Sequence, residues 1–335
     1  MKIFVTGGHG FIGSRVVERL LEGGHEVRCL VRESSKTHRI DHLEWERHVG
    51  DVRDRASLEA GMQGTEAVIH LASVSSWADM RSSVLEDVVQ TGTENVVEAA
   101  KSSGVKRVVF VSSSMAVNAT PTPIVFDEAS AFELTDPKYR YPLAKHRAEK
   151  RALEVAGDDV ELVIVNPAEV YGPNDDAMVT AGNLRDALND WPALACTGGS
   201  AITHVDDVAD GMVRALEKGR HGERYILGGD NLHVEELIRL TLEIAAQKKP
   251  VMKLPNGLLK VAIGALDKLG LPSPVEPEVV TYATLYWFMD STKAKNELGY
   301  APRPAREVLE PTIAWLYDNG HIKTPRAADA ATASS

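Results

Sequence analysis

Long apolar runs separated by helix-patterned stretches constrain this chain more than any other feature. "TEAVIHLAS", "VKRVVFVSSS" and "VELVIVNPAEV" are near-continuous in apolar residues. Between them stand "SSVLEDVVQTGTENVVEAAKSSG" and "YPLAKHRAEKRALEVAG", whose apolar positions recur every three or four residues. Strands buried on both faces and joined by helices build a parallel sheet with helices on either side. The alternation begins at "KIFVTG", and the helix pattern "GSRVVERLLEGG" that follows stops at Gly23–Gly24. "HEVRCLVR" and "LEWERHVGD" read as strands and "RASLEAGMQG" as a helix. The expectation is an α/β chain with a doubly wound parallel sheet over residues 1–170, rejoined by about 200–228. After Val170 the rhythm weakens. Residues 171–199 and 229–320 read as a smaller, mostly helical substrate-binding region, with 250–290 as mixed helix and loop. Residues 322–335 are small and polar and are expected to form a disordered tail.

The first strand runs into "TGGHGFIG", with Gly7, Gly10 and Gly13 spaced three apart. Gly7 permits a tight turn, Gly10 lets backbone approach a pyrophosphate, and Gly13 lets helix and strand pack closely. The helix N-terminus offers donors and dipole to the anion. In this strand–turn–helix setting the pattern indicates a Rossmann-type dinucleotide site. Gly7, Gly10, Phe11, Ile12 and Gly13 are its candidate contacts. His9 touches a phosphate or ribose, or sits in solvent.

An NAD site places an acid about 20 residues on, at the end of strand two, to bind the ribose 2′-hydroxyl. Here that strand ends "CLVRESSK", with Arg32 at the place and Lys36 nearby. A guanidinium suits a 2′-phosphate by fork geometry and charge, although Glu33 would repel one. NADP(H) is therefore favoured over NAD(H). Asp51 in "VGDVRD" meets an adenine amino group, with Val52 beside it, or caps the following helix. Leu71, Ala72 and Ser73 end the fourth strand, where doubly wound sheets bind ligands. Ser112 ends the fifth.

The chain has 335 residues and a formal charge of −11, with no block of Lys and Arg, which argues against nucleic acid as a partner. Cys29 and Cys196 are the only cysteines and make no disulfide framework. No signal peptide is evident and no apolar run approaches the ~20 residues of a membrane span. A cytoplasmic location, no membrane partner and a monomer or homodimer are expected. "LPNGLLKVAIGALDKLGLP" reads as an amphipathic helix. His38 and His42 are four apart, but no third ligand has suitable spacing, and no metal site is expected.

"VVFVSSSMAV" ends a strand in three hydroxyls, and "YPLAK" opens the next helix. Tyr141 and Lys145 stand one helical turn apart. Beside a nicotinamide, Tyr141 can protonate a carbonyl as hydride arrives, with Ser114 holding the carbonyl or developing oxyanion. Lys145 and the cofactor's positive charge are expected to lower the phenol's pKa from its usual value of about 10.

"TGGHGFIG", "GDVRD", "VIHLAS", "VVFVSSS", "YPLAK", "NPAEVYGP" and "THVDDVA" together resemble, in order and spacing, the extended short-chain dehydrogenase/reductases of the NAD-dependent epimerase/dehydratase superfamily, from residue 1 to about 320. "VRES", "GERYILGG" and "ELGYAPRPARE" resemble its dihydroflavonol-4-reductase-like group. The resemblance implies a catalytic triad of Ser114, Tyr141 and Lys145, with Lys145 also holding the nicotinamide ribose. Pro167, Ala168 and Val170 would line the nicotinamide, and Asp206 and Asp207 would be structural. Val89 stands where the family usually has asparagine, and Glu169 is an unusual charge beside the nicotinamide wall.

Four functions share these motifs. Dehydratases place an acid pair just after the catalytic hydroxyl, but Met115–Ala116 follow it here. Nucleotide-sugar enzymes usually carry an arginine before the "THVDD" motif, absent from "GGSAITHVDD". Both departures favour a reductase of ketones and aldehydes over a nucleotide-sugar epimerase or dehydratase. A non-catalytic sensor usually loses the Tyr–Lys pair. A 3β-hydroxysteroid dehydrogenase-like enzyme keeps it and stays open. Segments 73–83, 115–140 and 171–200 bring Trp77, Met80, Met115, Phe126, Phe132, Met178 and Trp191 toward the substrate, with Tyr171 beside them. Arg81, Lys138, Arg140 and Arg185 are their only cations. A small, largely apolar or aromatic substrate is expected.

Overall fold

The computed structural model describes residues 1–74, 77–270 and 277–323. Its centre is a parallel sheet of seven strands: β1 (Lys2–Thr6), β2 (Glu26–Val31), β3 (Glu46–Val49), β4 (Ala67–His70), β5 (Arg107–Val111), β6 (Glu161–Pro167) and β7 (Arg224–Leu227). They lie side by side as β7-β6-β5-β4-β1-β2-β3. The order reverses between β1 and β4, so a crevice opens at their carboxyl ends, beyond Thr6 and His70. This is the doubly wound Rossmann-type sheet that the apolar runs demand.

Each face of the sheet is sealed by its own core. Helices Phe11–Glu22 and Val205–Lys218 cover one, with Val16, Val17, Leu20, Val208 and Met212 against Val5, Val109 and Val165. Helices Arg55–Met62, Gly92–Ser102 and Arg140–Ala156 cover the other. Their facing residues are small: Ala99, Ala100, Ala144, Ala148 and Ala152 are all buried. That lets helix Arg140–Ala156 approach helix Gly92–Ser102 and β6 closely.

The remainder forms a second layer beyond the strand ends. It is helical in large part, but it also holds a mixed sheet of Asn231–His233, Gly199–His204, Tyr286–Met289 and Val125–Phe126, with Glu169–Tyr171 paired to Gly199–His204. Val251–Lys253 pairs with Ala193–Ala195. Two of these strands, Val251–Lys253 and Tyr286–Met289, fall in the stretch read as helix and loop. Runs of three or four residues have too few positions to show a period, and Tyr286–Met289 is buried throughout. The chain also stays packed further than expected. Ile322 is buried and the Lys323 amide donates to Asn189 Oδ1 at 2.8 Å. The rest of the expected tail lies outside the described residues.

Candidate active site

The chain leaves β1 and turns back within a few residues. Gly7 makes the turn at φ +75°. A β-carbon there would be strained and would sit 2.8 Å from the Ala72 nitrogen. At Gly13 it would come within 2.1 Å of the Gly7 carbonyl oxygen. Helix Phe11–Glu22 starts from Gly10, which has no side chain to satisfy the first amides. The loop therefore fits a dinucleotide pyrophosphate: an open turn with free helix N–H groups.

Cations gather beside it. Burial, then the charges of Arg32, Arg39 and Arg47, lower the pKa of His9. His9 Nδ1 is buried with no partner, as is Arg39 Nε. Arg39, which no motif singled out, holds the Asn174 carbonyl and Asp176 with the rest of its guanidinium. Arg32 and Lys36 make no ion pair among the described residues. Orphaned buried nitrogens in a ring of cations fit an anion such as a ribose phosphate. Of the two roles open to Asp51, the helix cap belongs to Asp54, which accepts from the Ala56 amide at 3.1 Å. Asp51 grips Arg53 through both oxygens, at 2.9 and 2.7 Å, and this pairing holds its carboxyl below the usual range. Val52 packs inward against Gly92, and its carbonyl accepts from Asn95.

His70 latches the two strands at the crevice. Its Nδ1 lies 2.7 Å from Thr6 Oγ1 and its Nε2 3.0 Å from Thr93 Oγ1. Thr6 Oγ1 also accepts from the Ala72 amide at 3.2 Å, fixing the segment Leu71–Ala72–Ser73. Burial, helped by the Lys145 charge, pushes the His70 pKa down to about 3. The ring is neutral when folded, whereas in the unfolded chain it protonates near pH 6.5. This group therefore costs about 1.4 kcal/mol of stability per pH unit as pH falls below about 6.5. Glu149 and Glu169, whose carboxyls burial pushes up, act in the opposite sense. The His70 ring-proton resonance is expected not to titrate between pH 5 and 8; a midpoint in that range would show that the latch is open to water.

Helix Arg140–Ala156 sets Tyr141 and Lys145 on one face. Lys145 is buried, and its Nζ donates to the Val111 carbonyl at 3.0 Å. Burial pushes the ammonium down to about 8, against the opposing charge of Glu149. The Tyr141 phenol is turned toward the hydroxyls of Ser73 and Ser113. Ser73 Oγ is buried and closes no hydrogen bond of its own. Burial raises the phenol's pKa and outweighs both hydroxyls. Lys145 does not reverse this: its Nζ is drawn to Val111 and lies 6.0 Å from the tyrosine ring centroid.

The phenol faces Ser113, whose hydroxyl accepts from the Met115 amide at 3.2 Å; the expected Ser114 is the next residue and is buried. Ser113 is still extended, at φ −162° and ψ 151°, and continues the alternation of β5. Ser114 has already entered the turn Ser114–Ala116, and its hydroxyl makes no hydrogen bond among the described residues. Two residues that the motifs did not reveal hold Ser113 in place. Asn166 Nδ2 donates to the Ser113 carbonyl at 2.9 Å and to Glu149 Oε1 at 2.7 Å. Glu149, one turn beyond Lys145, pairs with Arg224 at 3.3 Å. Its spacing from Lys145 was the available signal. Ser112 Oγ is buried and closes no hydrogen bond among the described residues.

In the second layer, Met115, Phe126, Phe132, Tyr139 and Ala168 pack on a cluster that includes Val117, Leu134 and Trp287. Other expected wall residues lie elsewhere. Trp191 is 72% exposed. Tyr171 is fully buried and donates to Glu169 Oε1 at 2.6 Å, while Val170 is buried beside it. The side chain of Trp77 lies outside the described residues. Lys138 pairs with Asp136, Arg140 with Glu86 and Arg185 with Asp186. Asp206 pairs with Arg15 and Asp207 with Arg303, structural roles both. No group of three or more His, Cys, Asp or Glu among the described residues is arranged to hold a metal.

A doubly wound sheet, an amide-lined glycine loop at its switch point and a Tyr–Lys pair one helical turn apart fit a dinucleotide-dependent enzyme of the short-chain dehydrogenase/reductase class. The chain belongs to the NAD-dependent epimerase/dehydratase family, whose model matches residues 3–228. It is 31% identical to a putative dihydroflavonol 4-reductase of Synechocystis over 96% of both chains. It is 35% identical to cinnamoyl-CoA reductase 1 of Oryza sativa subsp. japonica, over 96% of this chain and 91% of that one. Among solved structures, gox2253 superposes with a TM-score of 0.83 at 34% identity, over 96% of this chain and 99% of that one. UDP-glucose 4-epimerase of Thermotoga maritima gives 0.74 at 25% identity, over 95% and 99%. No helix among the described residues is long and apolar enough to cross a membrane.

Proposed function

We propose that this protein is an NADPH-dependent reductase of ketone and aldehyde groups on small, largely apolar or aromatic substrates. The observation that carries the reading is the neutral Tyr141 phenol, buried and turned toward Ser73 and Ser113 with Lys145 one turn behind. A bound nicotinamide dinucleotide supplies the hydride. Tyr141, kept protonated by burial, gives its proton to the carbonyl oxygen. Ser113, with Ser73, donates to the same oxygen and fixes its position. The Lys145 ammonium opposes the phenolate charge that remains. Ser113→Ala is expected to cost roughly 10²-fold in turnover, and Ser114→Ala far less. Equal losses would remove the distinction between them.

The cations around His9 support NADP(H) over NAD(H). Arg32→Ala should weaken NADPH binding by about 1.5–3 kcal/mol, roughly 10–150-fold, the scale of a charged hydrogen bond. NADH affinity should change little, and matching losses for both would rule Arg32 out as the reader of the 2′-phosphate. Substrate class rests on the apolar group around Met115 and on the ion pairs that occupy Lys138, Arg140 and Arg185. A doubly charged sugar nucleotide would be buried with little to neutralise it. The deciding measurement is NADPH oxidation over a panel of aromatic and aliphatic carbonyls, with calorimetry on UDP-glucose and UDP-galactose. Tight UDP-sugar binding with no carbonyl reduced would favour the epimerase reading instead.

A further inference from the structure

Helix Asn256–Lys268 is apolar on two sides. One side faces the protein: Ile263 is buried, and Leu259 and Leu266 are partly buried with it. The other side carries Leu258, Val261, Ala262 and Ala265, and Leu269 just past the helix end continues it. These positions recur at three- and four-residue steps and form one stripe. All five residues are exposed, Leu258 by 62% and Val261 and Leu269 each by 71%. The helix start is pinned by Asn256, which bonds both the amide and the carbonyl of Thr197, and its body packs chiefly on helix Pro277–Ala283. The strand leading into it adds Met252, exposed and in register with exposed Leu194.

The charge here is the reverse of the chain's. Residues 248–268 hold five lysines and one acid, in a protein of net charge −11. Lys260 and Lys268 flank the stripe and make no ion pair among the described residues.

We propose that this face docks on an anionic lipid bilayer, with helix Asn256–Lys268 lying in the interface. Thirteen residues are too few to span, so the helix rests on the surface rather than crossing it. The stripe enters the acyl boundary while the lysine stems carry their ammoniums back to the phosphates. The exposed stripe needs no complementary groove in lipid, as it would in a folded partner. A second copy of this chain would bring the same lysines against each other. The attraction to an anionic leaflet is local, because the rest of the molecule is acidic.

The test uses the full chain and sealed vesicles in flotation at low salt. Vesicles of phosphatidylcholine with about one third phosphatidylglycerol should carry at least about ten times more protein than pure phosphatidylcholine, and raised salt should release it. The double variant Leu258→Asp/Val261→Asp and the double variant Lys260→Glu/Lys268→Glu should each lower the bound fraction about tenfold. NADPH affinity should be unchanged in both, which shows that they are folded. The proposal is overturned if wild type ignores anionic vesicles, or if both folded variants float as well as wild type. It is overturned equally if the apolar substitutions dissolve a wild-type dimer while vesicle binding is absent, which would make the face a contact between copies.

Discussion

Tyr141→Phe is expected to lower turnover by about 10²–10⁴-fold, the usual contribution of a positioned acid, with NADPH affinity nearly unchanged. The substitution removes one oxygen and keeps the ring, which packs partly buried against the core of this sheet face. The dinucleotide loop is held by other residues, Gly7 and Gly13 at the β1 end and the His70 latch. On the proposed reading binding and chemistry are carried by different parts of the crevice, and steady-state kinetics with a cofactor titration separates them. Stability should fall only slightly, since the Ser73 and Ser113 hydroxyls lose one neighbour in a site open to substrate. Comparable kcat in wild type and variant would remove Tyr141 from the proton transfer.

Gly13→Ala should be among the most damaging single methyl groups in the molecule. Its β-carbon would lie 2.1 Å from the Gly7 oxygen, 2.8 Å from the Gly8 α-carbon and 2.9 Å from the Gly7 carbonyl carbon. All three are backbone atoms, so no side chain can swing away. Either the loop opens or the helix Phe11–Glu22 slides outward. Overpacking of this kind costs about 1–3 kcal/mol, sometimes more. The distortion falls on the amides that face the pyrophosphate, so dinucleotide affinity should drop by roughly thirtyfold or more, the equivalent of about 2 kcal/mol. Thermal unfolding and a fluorescence titration with NADPH measure the two losses. An unchanged affinity would show that the pyrophosphate does not rest on this loop.

The two predictions differ in how far the sequence alone reaches. Gly13 is legible from "TGGHGFIG", because backbone sterics act over a few residues and leave their mark in residue type. The Tyr141–Lys145 pair is legible for the same reason, being one helical turn. Which serine the phenol faces is not. Three serines in a row carry no signal of which one faces the helix. That depends on where the extended backbone of β5 gives way to the turn at Ser114, and on Asn166 tying the Ser113 carbonyl to Glu149.

The direction of the phenol's pKa follows the same division. A lysine one turn away suggests a lowered value, but burial and the pull of the Val111 carbonyl on Lys145 arise only in the packed molecule. Arg39 and His9 join Arg32 across loops separated in the chain, and Trp191 leaves the substrate wall for the surface.

By itself the sequence determined the doubly wound sheet, the position of the dinucleotide loop and the face that bears Tyr141 and Lys145. These rest on apolar periodicity and local backbone geometry, which are written residue by residue. Only the tertiary structure decided which serine the phenol faces, which cations cluster around His9 and which aromatic side chains stand exposed at the surface. Those are outcomes of packing between distant segments, where burial and charge combine through space and neighbouring positions in the chain say little.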